Sequence, residues 1–216
     1  MSETDTRLLG LFGGSFDPVH VGHLRLAIEA KEYLGLEELR LLPVTQSNLR
    51  QPPRCDAAQR VAMLREATQG MPGLVVDTSE IDRAGVSYTV DTLNDFRARY
   101  PRRPLVFILG MDAFAQLPKW HQWQKILALT HLLVVTRPDQ APLPAGEEMR
   151  ELLDRVRVDD ARQLVGTPAG SIAILTIPPL PISSSDIRAR IRQRRDIRFL
   201  VPDTVREIIE KNGLYQ

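Results

Sequence analysis

Gly13-Gly14-Ser15-Phe16-Asp17-Pro18-Val19-His20-Val21-Gly22-His23 stands between an apolar run, residues 7–12, and a segment, 23–33, whose Leu24, Ala27 and Ile28 recur at helical spacing toward Leu34. An apolar run closed by a glycine pair and followed by a helical period predicts strand, tight turn, helix. The alternation continues outward, with strands near 39–44, 74–76, 105–109 and 132–135 and helices near 57–67, 90–100 and 123–128. Strands separated by helices of this length predict βαβ units with right-handed crossovers. The expected fold is α/β, a Rossmann-like doubly wound, mainly parallel sheet with helices on both faces. A ligand then belongs at the carboxyl ends of the strands.

A last strand near 172–177 precedes Pro178-Pro179-Leu180-Pro181, and helices near 186–194 and 203–212 follow it. Residues 46–54 and 138–146 lack apolar periodicity and read as surface loops. One domain is expected over 1–216, a Rossmann-like core over 1–181 followed by a C-terminal phosphate-binding helical segment over 182–216.

With 43% hydrophobic and 25% charged residues, the 216-residue chain can bury a substantial core. Its 28 basic and 27 acidic side chains leave a formal charge of +1. No global field is available to hold a nucleic acid or a membrane surface, so neither is expected as a partner and any anion must be gripped locally. Cys55 is the single cysteine, which argues against an intramolecular disulfide or a structural zinc site. A polar N-terminus and the absence of an apolar run of about 18 residues predict a soluble, cytoplasmic protein. Homo-oligomer formation stays open.

Free N–H groups and the helix dipole favour an anion where the 13–23 string opens a helix. Glycines at Gly13 and Gly14 permit a tight turn and close backbone approach, and Asp17-Pro18 sets a bend. His20 and His23, three residues apart, can present both imidazoles to one group of phosphate oxygens. Taken alone, the string also suits a glycine turn with two surface histidines. A histidine pair sharing a zinc is a third reading, with Asp17 its nearest further ligand. A second cluster, Ile182-Ser183-Ser184-Ser185-Asp186-Ile187-Arg188, puts serines at a helix N-cap and an arginine in the first turn. It suits a phosphate grip or a merely capped surface helix. Of the neighbouring arginines, Arg188, Arg192 and Arg195 fall on one helical face and Arg190, Arg194 and Arg198 on another, so only Arg188 is assigned to the site.

Three central segments offer further groups. Ser87-Tyr88-Thr89-Val90-Asp91-Thr92-Leu93 opens a helix with hydroxyls and N–H groups suited to a small anion. Gly110-Met111-Asp112 can bring backbone near a nucleotide and a carboxylate to a ribose hydroxyl. Trp120-His121-Gln122-Trp123 supplies an aromatic face for a flat heterocycle. Tyr88 and Trp123 also suit a core, and Asp91 and Asp112 a helix cap.

The GGSFDPVHVGH string resembles the T/HxGH signature of the nucleotidyltransferase α/β superfamily, and ISSSDIR is similar to its ISSTxIR motif, with Ser185 where threonine is usual. SYTVDTL, LGMDAF, LPKWHQW and the closing VPDTVREIIEKNGLY extend the resemblance to bacterial nicotinate-mononucleotide adenylyltransferases along almost the whole chain. The resemblance implies transfer of AMP from ATP, carried with Mg2+, to the 5′-phosphate of nicotinate mononucleotide, giving deamido-NAD and pyrophosphate. It implies that His20, His23 and Arg188 act in catalysis. ATP is to be met by Gly13, Gly14, Ser15, Phe16, Gly110, Asp112, Arg137, Ser183, Ser184 and Ser185, and nicotinate mononucleotide by Tyr88, Thr89, Asp91, Trp120 and His121. No protein metal ligand is implied. The chain leaves the family pattern at His121, where tyrosine is common, and at Pro52-Pro53-Arg54-Cys55, where PPHK is usual. Rival readings are another acceptor (nicotinamide mononucleotide or phosphopantetheine), a non-catalytic nucleotide sensor and an aminoacyl-tRNA ligase fragment.

Overall fold

The computed structural model describes residues 7–45, 51–83, 85–86, 88–136, 138, 146–178 and 180–216. Ser87, Arg137 and the stretches 46–50 and 139–145 of the two expected loops lie outside the described residues. Among the rest, seven strands form one sheet: β1 (Leu9–Gly14), β2 (Glu38–Pro43), β3 (Leu74–Val76), β4 (Leu105–Gly110), β5 (His131–Thr136), β6 (Arg157–Val158) and β7 (Ile172–Thr176), in the order β3-β2-β1-β4-β5-β7-β6. Pairing is parallel from β1 to β4, β4 to β5, β5 to β7 and β7 to β6. The expected doubly wound sheet is present, and its order reverses between β1 and β4. The central strands read as unbroken apolar runs because both faces are covered: every residue of β5 is buried, as is β4 up to Gly110.

The intervening helices are α1 (Val21–Tyr33), α2 (Ala57–Thr68), α3 (Ser79–Asp82), α4 (Thr89–Arg99), α5 (Met111–Ala115), α6 (Trp123–Leu129), α7 (Glu147–Val156), α8 (Ser184–Arg192) and α9 (Asp203–Lys211). Sequence periodicity finds α1, α2, α4, α6, α8 and α9 and leaves out α3, α5, α7 and the edge strand β6. Three of these are five residues or fewer, too short to show a period. The exception, α7, buries Met149, Leu152 and Leu153 at helical spacing.

Two local expectations are corrected. Gly13 and Gly14 end β1 rather than forming the turn; the left-handed residue is Phe16, at φ 48°. What Gly14 supplies is room, because a Cβ there would stand 2.9 Å from the buried Phe16 ring. The helix expected over 186–194 ends at Arg192, where Arg194 turns left-handed at φ 55° and the Arg195 N–H reaches back to the Arg190 carbonyl. Arg194, Arg195 and Arg198 therefore lie beyond the helix, and the two arginine faces do not extend to them.

The chain gathers into two compact units, one of Met1–Gly13, Glu29–Arg40 and Tyr88–Pro179, the other of Gly14–Ile28, Leu41–Ser87 and Leu180–Gln216. In the first, α4 packs on α6, and the Arg97 guanidinium donates to the carbonyls of Leu129, Tyr100, Arg103 and Pro168. Buried His131 is satisfied there by the Thr167 carbonyl and the Ser171 N–H, which makes it a structural histidine. In the second, α2 carries a capping box between Asp56 and Gln59 and packs on α9.

Candidate active site

His20 and His23 cap α1. The His20 carbonyl accepts from the Leu24 N–H, and Val21 is the first helical residue. The His23 N–H donates to His20 Nδ1 and the His20 N–H donates to His23 Nδ1, each at 3.3 Å, a reciprocal capping arrangement made from imidazoles. The two rings stack, centroids 3.7 Å apart and 26° between planes, and the Phe16 ring meets His23 edge-on at 5.1 Å. With Nδ1 of each ring accepting a backbone N–H, Nε2 is the ring atom left to donate outward. Burial lowers His20 to about 4, so at neutral pH its ring is an uncharged donor. Gly22 keeps the pair in place: a Cβ there would lie 3.0 Å from His20 Nδ1.

The second cluster meets this turn within the same unit. Ser183 caps α8 by accepting the Asp186 N–H, and the Ser184 hydroxyl donates to the Pro18 carbonyl at 3.0 Å. Arg188 donates through Nη1 to the Asp17 carbonyl at 2.6 Å and through Nη2 to Ser185 Oγ at 3.1 Å. Thus Ser15, Phe16, His20, His23, Ser183, Ser184, Ser185 and Arg188 come together in one unit, beside the N-terminus of α8. Ser184's hydroxyl is committed to protein, which leaves its backbone N–H for an anion.

The other unit holds the remaining candidates. Gly13, next to last in β1, and Gly110, last in β4, lie on adjacent strands at the switch point of the strand order. A Cβ on Gly110 would meet nothing within 4 Å, so open space adjoins this strand end. Asp112 is exposed in the first turn of α5. Thr89 is the first residue of α4, with Tyr88 at its N-cap and Asp91 exposed in its first turn. The Tyr88 ring lies 4.5 Å from that of His121, and Trp120 meets Phe107 edge-on at 6.3 Å. Arg137 lies outside the described residues.

Sequence reasoning missed how the histidine turn is supported. Arg60, 1% exposed on α2, donates to the Ser15 carbonyl at 2.7 Å. Tyr215 donates to Asp17, and the Arg54 and Cys55 backbone N–H groups do the same. An arginine on an otherwise apolar helical face was a legible signal for Arg60; nothing local marks a contact between residues 17 and 215. Cys55 is buried, and burial raises its thiol above the ordinary range. Asp17, so fully engaged, is a poor metal ligand, and among the described residues no group of three His, Cys, Asp or Glu side chains is arranged to hold a metal.

Residues 11–190 match the family model described as Cytidylyltransferase-like, and this model together with the sheet defines the class of protein, a nucleotidyltransferase-type α/β domain. A Pseudomonas putida (strain W619) protein named "Probable nicotinate-nucleotide adenylyltransferase" is 46% identical, covering 97% of this chain and 95% of its own. A Methylococcus capsulatus protein of the same name is 42% identical over 96% of this chain and 99% of its own. The fold also matches the solved structure of Plasmodium falciparum nicotinic acid mononucleotide adenylyltransferase complexed with NaAD, with a TM-score of 0.72, 17% identity and 97% of each chain covered. The chain belongs to the nicotinate-nucleotide adenylyltransferase family.

Proposed function

We propose that this protein transfers AMP from ATP to the 5′-phosphate of nicotinate mononucleotide, forming deamido-NAD and pyrophosphate. The observation that carries the reading is the stacked His20–His23 pair with Arg188 and the α8 N-terminus docked beside it. An oxygen of the acceptor phosphate attacks the α-phosphorus of ATP in line. One P–O bond forms, the α–β bridging bond breaks, and its electron pair leaves on pyrophosphate. The attacking phosphate needs no general base, so rate comes from positioning and charge neutralisation. His20 and His23 donate Nε2–H bonds at the α-phosphate, and Arg188 supplies the positive charge on the leaving side, with N–H groups of Ser183, Ser184 and Ser185. Gly13, Gly14, Ser15 and Phe16 line the triphosphate, Gly110 and Asp112 the nucleoside, and Arg137 belongs with them. Trp120 stacks on the pyridine ring, and Tyr88, Thr89, Asp91 and His121 receive the nicotinate mononucleotide. Magnesium enters with ATP as part of the substrate, held by phosphate and water, which accords with Asp17 being occupied.

The family model runs through segments of both compact units, which supports one nucleotidyltransferase domain over 1–216. No helix among the described residues is long and apolar enough to cross a membrane, which accords with a cytoplasmic enzyme. Pyrophosphate release, measured with ATP, magnesium and each acceptor in turn, tests the reading. Nicotinate mononucleotide should exceed nicotinamide mononucleotide and phosphopantetheine. Release no greater than with phosphopantetheine overturns the acceptor, and release with none of them overturns the enzyme.

A further inference from the structure

Behind the histidine turn lies a buried polar cluster that none of these steps uses. Asp17 is 3% exposed and accepts three protein donors: the Arg54 N–H on Oδ2 at 2.8 Å, and the Cys55 N–H and the Tyr215 hydroxyl on Oδ1 at 3.1 and 2.9 Å. Its Oδ2 also stands 3.6 Å from Arg188 Nη1, while that nitrogen makes its short bond, 2.6 Å, to the Asp17 carbonyl instead. The carboxylate and the guanidinium are thus close without forming a tight pair. Tyr215 is held at φ 66°, a conformation that a bulky residue keeps only where its surroundings over-determine it. Burial, and then the neighbouring Cys55 and Asp17, push its hydroxyl far above the ordinary tyrosine range, so it remains a donor at every working pH.

A buried carboxylate with unused lone pairs draws the nearest cation toward itself, because an unsatisfied charge is costly in a low-dielectric site. Here the Asp17 charge is already shared among two backbone N–H groups and a phenol. Arg188 is left hydrogen-bonded to a carbonyl and to Ser185, with its charge available to an anion. We propose that Tyr215 is a positioning residue for the leaving-phosphate cation: by satisfying Asp17 it keeps Arg188 from collapsing onto that carboxylate. The inference rests on the adenylyl-transfer reading of Arg188.

Calorimetric titration with a non-hydrolysable ATP analogue and magnesium tests it without reference to the acceptor. Tyr215→Phe, which deletes a single oxygen, should weaken binding by about tenfold, the loss expected for one hydrogen bond to a charged group. In turnover assays of the same variant, KM for ATP should rise while KM for the mononucleotide stays put. Asp17→Asn removes the competing charge at constant shape, so Tyr215→Phe in that background should weaken the analogue far less than tenfold. A Tyr215→Phe protein that melts lower but, well below its transition, binds the analogue as tightly as the parent overturns the proposal. So does a full, additive loss in the Asp17→Asn background. Failure of the parent to bind the analogue would instead sink the adenylyl-transfer reading.

Discussion

At the head of α1 two imidazoles do the work usually given to a serine and a glutamate, each accepting the other's backbone N–H. Under the proposed mechanism, function and capping depend on the same protonation state of His20. Adding a proton to His20 Nδ1 would set it against the His23 N–H, leaving that N–H only the His20 carbonyl at 2.9 Å. The pH dependence follows. His20 falls from 6.5 to about 4 on folding, so between those values the unfolded chain binds the proton that the folded chain refuses. The stability it contributes is fully present above pH 6.5 and is lost as pH falls toward 4. Urea unfolding at stepped pH should show a decline in that window that is smaller in a His20→Gln variant; identical slopes would count against the assignment. His23→Ala should lower turnover at least about tenfold while circular dichroism stays native. Near-parental turnover would remove it from the mechanism. Gly22→Ala should also cut turnover, because its Cβ intrudes at 3.0 Å on His20 Nδ1.

Among the elements, α8 depends on its first turn. Ser183 caps it, so Ser183→Ala should cost about 1 kcal/mol in denaturant unfolding. Elsewhere, Arg97 ties α4 to the carbonyl of Leu129, which ends α6, and to that of Arg103 just before β4. Arg97→Met strands several of those acceptors and should cost about 2–4 kcal/mol. Since Arg97 touches none of the candidate site residues, KM values should hold; a shift in KM without loss of stability would contradict the structural role. Element identity was legible in most periodic runs longer than two helical turns, as in α1, α2, α4 and α9, with α7 the exception. Boundaries followed tertiary facts: α8 begins at Ser184 because Ser183 finds the Asp186 N–H, and ends where Arg194 turns left-handed.

For the molecule as a whole, a ligand that binds only the folded state raises its stability by mass action. A magnesium-bound ATP analogue at a hundredfold excess over Kd should contribute about 2.7 kcal/mol, seen as a higher melting temperature. Arg188→Ala should lose most of that rise at the same ligand concentration; an undiminished rise would place the nucleotide elsewhere. The sequence by itself determined the alternation of strands and helices, hence the doubly wound sheet, because burial on both faces writes itself as apolar runs and helical periods. It also determined which residue types could grip a triphosphate, since GGSFDPVHVGH and ISSSDIR carry their chemistry in local order. Only the tertiary structure decided how those groups are held. That the paired histidines cap a helix through Nδ1, that Gly14 makes room for Phe16, and that Asp17 gathers Arg54, Cys55, Arg188 and Tyr215 are facts of three-dimensional satisfaction. Buried polar atoms take their partners from wherever the fold brings donors, and a contact between residues 17 and 215 leaves no periodic trace along the chain.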